Sequence, residues 1–314
     1  MPTYLLLTGA GFTRNWGGPL VSEVFNYLVA TPTLTARVRK MLWDSVDGGG
    51  YESVLDKLQL SSTPQDKGDL RVLETALVSM FNKLRYVMQP LHFDFSNDTA
   101  HTVTHFLSRF EAIFTVNQDT FLETHYRIPL GGNRSAFGIP GTVLWRPQEA
   151  PPWLAPAPEP LERPRPNEQP YYKLHGSAHL WTSCDGMGRP LIVAGGRKQE
   201  VINSIPLLKW YQQEFRRYVT RPDCRLMVIG YSFSDPHINV IIEEGVRAGT
   251  GLFVIDPRGA RVLDKRDKRG AIIPLKEPQQ ELFEAAVFGM SQRLLSSTFG
   301  NDVVEWSQVM DFFG

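Results

Sequence analysis

The sequence predicts an α/β fold, a Rossmann-like parallel sheet with helices on both faces and a mostly helical inserted module. Three observations carry this. Five short apolar runs each end in small or polar residues, the stretches between them run with helical spacing, and one long helical stretch, residues 31–97, separates the first run from the second. Continuous apolar runs between helical segments are what a parallel sheet covered on both faces requires, and in such open sheets ligands bind beyond the carboxyl ends of the strands. All five polar clusters fall on that edge.

The first run lies in TYLLLTGAGFTRNWGGP, Thr3 to Pro19. Leu5 to Leu7 form a buried strand, and Gly9, Ala10 and Gly11 supply a turn whose backbone can approach a phosphate without obstruction. No Gly-Lys-Ser/Thr follows, so a P-loop is excluded, and Arg14 occupies the place of the third glycine of a dinucleotide fingerprint. Leu20 to Val29 has helical spacing but leads to no strand ending in a ribose-binding acid, which argues against an ordinary dehydrogenase. Taken alone, the turn fits a ligand-free strand-to-helix junction equally well.

Residues 31–97 are expected to form a helical cap over the site, with an apolar stripe at Leu70, Leu73, Leu77, Phe81, Leu84 and Met88. A possible cap at Asp98 precedes a second stripe, Val103, Phe106, Leu107 and Phe110. Ala112 to Val116 then runs into Asn117-Gln118-Asp119. Residues 145–170 are too rich in proline for a helix or a central strand and are expected to be an extended surface excursion. Tyr171 to Leu174 runs into His175-Gly176-Ser177, and Asp185 to Arg189 has the composition of a hairpin turn. Leu226 to Ile229 precedes Gly230-Tyr231-Ser232-Phe233-Ser234-Asp235, and Leu252 to Ile255 ends in Asp256. The mixed-charge run Arg258 to Arg269 suits a solvated helix face, and Leu282, Phe283, Ala286, Val287, Met290 and Leu294 make a third helical stripe.

At 314 residues with 42% hydrophobic content the chain can bury a substantial core, and residues 1–314 are read as a single domain. A formal net charge of +0 gives no global reason to expect direct nucleic-acid binding or an acidic membrane surface. Cys184 and Cys224 are too few for a disulfide framework or a four-cysteine zinc site. No run of 18 apolar residues and no leader ahead of the first strand occur, so a soluble cytoplasmic protein is expected.

The ordered clusters resemble the sirtuin-like family of NAD-consuming proteins. GAGFT at Gly9 to Thr13 is similar to that family's first NAD loop, TVNQD at Thr115 to Asp119 to its Thr-x-Asn-x-Asp motif, and KLHGS at Lys173 to Ser177 to its catalytic His-Gly. IGYSFSDPHIN at Ile229 to Asn239 resembles the late glycine-serine motif of bacterial sirtuin-like NADases of anti-phage defence, and VID at Val254 to Asp256 resembles the final, ribose-contacting strand. The resemblance implies that Asn117 holds the nicotinamide ribose and the attacking water, that His175 acts as base, and that Asp119 orients the nicotinamide carboxamide. It further implies that the backbones of Gly9, Ala10, Gly11, Phe12 and Thr13 and of Gly230, Tyr231 and Ser232 cradle the pyrophosphate, with Asp256 on the adenosine ribose. Arg14, Asn15 and Trp16 either close over the nicotinamide half or pack against the helical insertion.

Structural roles stand beside each of these. Asn117 and Asp119 suit turns or the cap of a helix near Thr120, His175 can be a satisfied structural histidine, and Ser232, Ser234 and Asp235 suit the cap of a helix beginning near Pro236. His92, His101, His105, His125, His179 and His237 are assigned no role. Protein-deacylating sirtuins carry a zinc module with paired cysteines and continue the first loop toward Gly-Ile-Pro-Asp-Phe-Arg, whereas this chain has two cysteines and Arg14 to Gly18. Water is therefore the expected acceptor. The resemblance implies an NAD+ glycohydrolase that takes NAD+ as substrate and uses no metal, an abortive-infection effector controlled by homo-oligomer assembly or by a partner such as a HerA-type ATPase or an Argonaute-family protein. An NAD- or ADP-ribose-sensing module and a zinc-free deacylase or ADP-ribosyltransferase are the alternatives.

Overall fold

The structure is a computed structural model and describes residues 2–47, 49–126, 136–146, 153–165, 168–183, 188–264 and 277–314. Its strands, in chain order, are β1 (Thr3–Thr8), β2 (Ala112–Thr115), β3 (Ala136–Gly138), β4 (Thr142–Arg146), β5 (Trp153–Pro156), β6 (Glu168–Lys173), β7 (Gly176–Trp181), β8 (Pro190–Ile192), β9 (Cys224–Ile229), β10 (Gly251–Ile255) and β11 (Val287–Ser291). Seven of them form one parallel sheet in the order β11-β10-β9-β1-β2-β6-β3. Successive side chains of a strand point to opposite faces, and both faces here are covered. Leu5 and Leu7 enter one core with Tyr211, Phe215, Ile238 and Ile241, while Leu6 enters the other with Phe106, Phe110, Phe312 and Phe313. That double burial is why the strands read as unbroken apolar runs.

The order reverses at β1: the chain adds β2 and β6 on one side, then returns to place β9 and β10 on the other. The crevice where strand order reverses is where open α/β sheets bind ligands. Thr8 of β1 pairs with Ile229 of β9 and Thr115 of β2, so the loops that follow all three strands emerge side by side.

The helical module comprises Ala36–Asp44, Gly50–Leu60 and Pro64–Met88. The long helix starts on Thr63, whose side chain accepts from the Asp66 amide, with Pro64 in the first turn. Leu73 and Leu77 of the predicted stripe pack with Val38, Leu42, Leu55 and Leu58 into a core separate from the two that flank the sheet.

Two elements differ from expectation. The third stripe is helical only over Pro278–Ala286; Val287–Ser291 is instead edge strand β11 beside β10. A side chain at Gly289 would collide with the Phe253 ring, so that glycine both weakens the helix and admits the strand partner. Within residues 145–170, Trp153–Pro156 is not a loose excursion but β5 of a small sheet ordered β4-β5-β7-β8. Ala155 is buried there, and Trp153 stacks on Trp181 at 4.7 Å. Residues 185–187 of the predicted hairpin turn and 265–269 of the charged run lie outside the described residues; Thr182 N–H donates to the Arg189 carbonyl at 2.9 Å.

Candidate functional site

A cavity of about 570 Å³ opens at the carboxyl ends of the central strands. Gly9, Ala10, Gly11, Thr13, Asn15, Asn117, Asp119, His175, Gly230, Tyr231, Ser232 and Asp256 all line it. Phe12 does not: its ring is buried under the sheet against Trp16, at 5.3 Å. Trp16 is likewise a packing residue. It stacks on Phe93 and Phe95, each at 5.1 Å, and its indole N–H donates to the Phe93 carbonyl at 3.1 Å.

The two glycine loops are locked backbone to backbone. Gly9 N–H donates to Ile229 O and Gly11 N–H to Gly230 O, both at 3.0 Å. A side chain at Gly11 would lie 2.6 Å from Gly230 Cα, and one at Gly9 would lie 2.5 Å from Gly230 O. Gly230 itself has φ +60°, in the left-handed region that only glycine enters without cost. Asn15 ties the same turn outward, donating to Gly11 O at 3.0 Å and accepting from Leu295 N–H at 2.8 Å.

A hydrogen-bonded chain joins the first loop to the second. Asn117 Nδ2 donates to Gly9 O at 3.0 Å and to Thr13 Oγ1 at 3.1 Å, and Thr13 Oγ1 donates to Asp119 Oδ2 at 3.0 Å. With both amide hydrogens engaged, Asn117 meets a ligand through its carbonyl oxygen, an acceptor. Asp119 Oδ1 accepts from Phe121 N–H at 2.9 Å and so starts the helix Phe121–His125, the structural role open to it. Beneath it Lys173, fully buried, donates to Asp119 O at 2.5 Å and pairs with buried Glu123 at 2.7 Å. Asp256 holds the Arg258 side chain at 3.0 Å at the opposite end of the cavity.

His175 sits between β6 and β7 with its carbonyl accepting from Val193 N–H at 3.0 Å. Its ring is 3% exposed, and burial pushes its pKa down to about 3 against the pull of Asp235. The imidazole is therefore neutral at physiological pH. Its Nε2 lies 2.8 Å from Nε2 of His237, a residue to which sequence reasoning assigned nothing. Asp235 Oδ1 pairs with Lys198 Nζ at 2.8 Å, and the same ammonium pairs with Glu52 of the helical module at 2.8 Å. Burial alone would raise the Asp235 carboxyl, but His175 and Lys198 outweigh it and hold it below the usual range. Ligand-type atoms of His175, Asp235 and His237 lie within 4.8 Å of one another, a set able to meet a metal ion, although Lys198 already supplies a positive charge to its carboxylate. From the module, Tyr51, Glu52, Phe81, Leu84 and Arg85 complete the wall. Among the described residues no helix is long and apolar enough to cross a membrane.

Residues 111–282, more than half of the chain and spanning the second, third, fourth and fifth of these loops, match the SIR2-like domain family. The chain belongs to that family. This SIR2-like protein is also similar to solved Sir2 structures over nearly its full length. A mutant Sir2 homologue in complex with ADP-ribose shares 15% identity, covering 99% of this chain and 94% of that one, with a TM-score of 0.43. A Sir2 homologue in complex with NAD shares 15% identity over 99% and 91%, also at 0.43, and a mutant carrying 2′-O-acetyl ADP-ribose shares 16% over 98% and 94%, at 0.45. No curated protein matches the sequence.

Proposed function

We propose that this SIR2-like protein is an NAD+ glycohydrolase that cleaves NAD+ to nicotinamide and ADP-ribose. The observation that carries the reading is that Asn117 and His175 line the same cavity as the interlocked glycine loops. Breaking the C1′–N bond expels neutral nicotinamide and builds positive charge on the ribose, so the site must orient and stabilise more than it must donate a proton. The Asn117 carbonyl oxygen directs the attacking water, and neutral His175 takes its proton. Asp119, held by Thr13, faces the nicotinamide end; Gly9 to Thr13 and Gly230 to Ser232 line the pyrophosphate; Asp256 takes the adenosine ribose hydroxyls. Phe12 contributes backbone alone. A cavity of about 570 Å³ is of cofactor-binding size.

Water is the acceptor in this reading, because two cysteines cannot build the paired-cysteine zinc module of protein deacylases. The IGYSFSDPHIN motif supports a role as an NAD-depleting anti-phage effector, restrained by homo-oligomer assembly or by a HerA-type ATPase or Argonaute-family partner. The test is nicotinamide release measured by chromatography, with and without such a partner. Asn117→Ala and His175→Ala are each expected to lower the rate by about 10²-fold or more. Release unchanged in both variants, or absent under every condition, refutes hydrolysis; tight ADP-ribose binding without turnover assigns a sensing module instead.

A further inference from the structure

Hydrolysis of NAD+ releases one proton for each nicotinamide, and the base that takes it here must pass it on. His175 is buried, and burial disfavours its charged form. Behind it lies a second cavity of about 340 Å³, lined by Gln199, Lys209, Gln212, Arg216, His237 and Val240 among others. His175 lines the first cavity and His237 the second, and their Nε2 atoms are 2.8 Å apart. The histidine pair is thus a bridge between two cavities.

Resting on the hydrolase reading, we propose that His237 is the proton exit of the site, a positioning residue that acts through His175. The C1′–N bond breaks with its electron pair on the nicotinamide nitrogen, and the water oxygen bonds to C1′. The water proton goes to His175 Nδ1, the Nε2 proton of His175 passes to His237 Nε2, and the Nδ1 proton of His237 leaves to water in the second cavity. The groups facing His237 suit transfer over storage. Asp235, at the start of its own helix, stabilises a passing imidazolium, while Lys198 opposes it. Across the second cavity, Lys209 adds positive charge that drives the proton on to solvent, while the charge of Arg216 is offset by Glu244 at 2.5 Å.

The experiment uses the full chain and NAD+, with nicotinamide release followed across pH. His237→Gln is expected to lower kcat about tenfold or more, less than loss of the base itself, with KM changed under about twofold. Added imidazole, a small proton carrier that can enter the second cavity, is expected to restore the rate, a rescue that a purely structural residue would not show. Val240→Trp, which plugs the second cavity and leaves the histidine pair intact, is expected to slow turnover in the same way and keeps the test alive if His237→Gln misfolds. Wild-type kcat in both variants, or a His237→Gln loss that imidazole does not rescue, overturns the exit while leaving the hydrolase standing. A wild-type chain without nicotinamide release overturns the hydrolase and the exit together. Loss of wild-type activity on chelation, restored by zinc, overturns the exit by making His237 a metal ligand.

Discussion

Replacing Gly230 by alanine isolates the interlock of the two glycine loops. The new Cβ would fall on the Cα and carbonyl carbon of Gly11 and 2.5 Å from the Phe12 amide nitrogen. That is about 1 Å short of an optimal carbon contact, and both sides of it are backbone. The left-handed φ costs about 1–2 kcal/mol and the overpacking about 1–3 kcal/mol. Separating the loops also strains the Gly11 N–H bond to Gly230 O, adding about 1 kcal/mol. The sum is about 3–6 kcal/mol, which for a chain of this size lowers Tm by roughly 5–9 °C. Gly17→Ala is the control: its φ is +89°, yet nothing lies within 4 Å of its Cβ position, so it carries backbone strain alone. Thermal unfolding and ADP-ribose titration of both variants decide the matter. If Gly230→Ala melts and binds like Gly17→Ala, the loops are not held by contact and the reasoning fails.

Other expectations concern the floor of the site and its response to acid. Lys173→Met leaves buried Glu123 without its ammonium and is expected to cost about 3–5 kcal/mol in urea unfolding; adding Glu123→Leu should recover most of it, and no recovery would mean that the pair is not the cause. For His175, the unfolded chain takes a proton below about 6.5, whereas the folded chain takes none until about 3, so stability rises with pH across that window and is flat above it. By pH 5 this single group is expected to cost about 2 kcal/mol, and His175→Gln should flatten the acid limb; an unchanged limb would place the sensitivity elsewhere.

Strands β1, β2, β6, β9 and β10 were legible because each is buried on both faces and ends in a distinctive polar cluster. Strand β11 was not, since Val287 and Met290 continue the spacing of the preceding helix and only the fit of Gly289 against Phe253 separates the two structures. Strand β5 was hidden by the prolines around it, although it lies between β4 and β7 and only Pro156, its last residue, falls within it. The motif residues announced the cavity, but Phe12 and Trp16, adjacent in type and position, turn into the core. His237 carried no local signal. It meets His175 across 62 residues because the loops after β6 and β9 converge over the two strands between them, a fact of sheet order and not of spacing.

The ammonium of Lys198 serves two masters. One acceptor, Glu52, rides on the helical wall with its own core; the other, Asp235, belongs to the neighbourhood of His175 and His237. A swing of the wall away from the sheet therefore cannot be electrically silent. It would widen the entrance and, in the same movement, withdraw one counter-charge from Lys198, so aperture and local field are geared to a single lever.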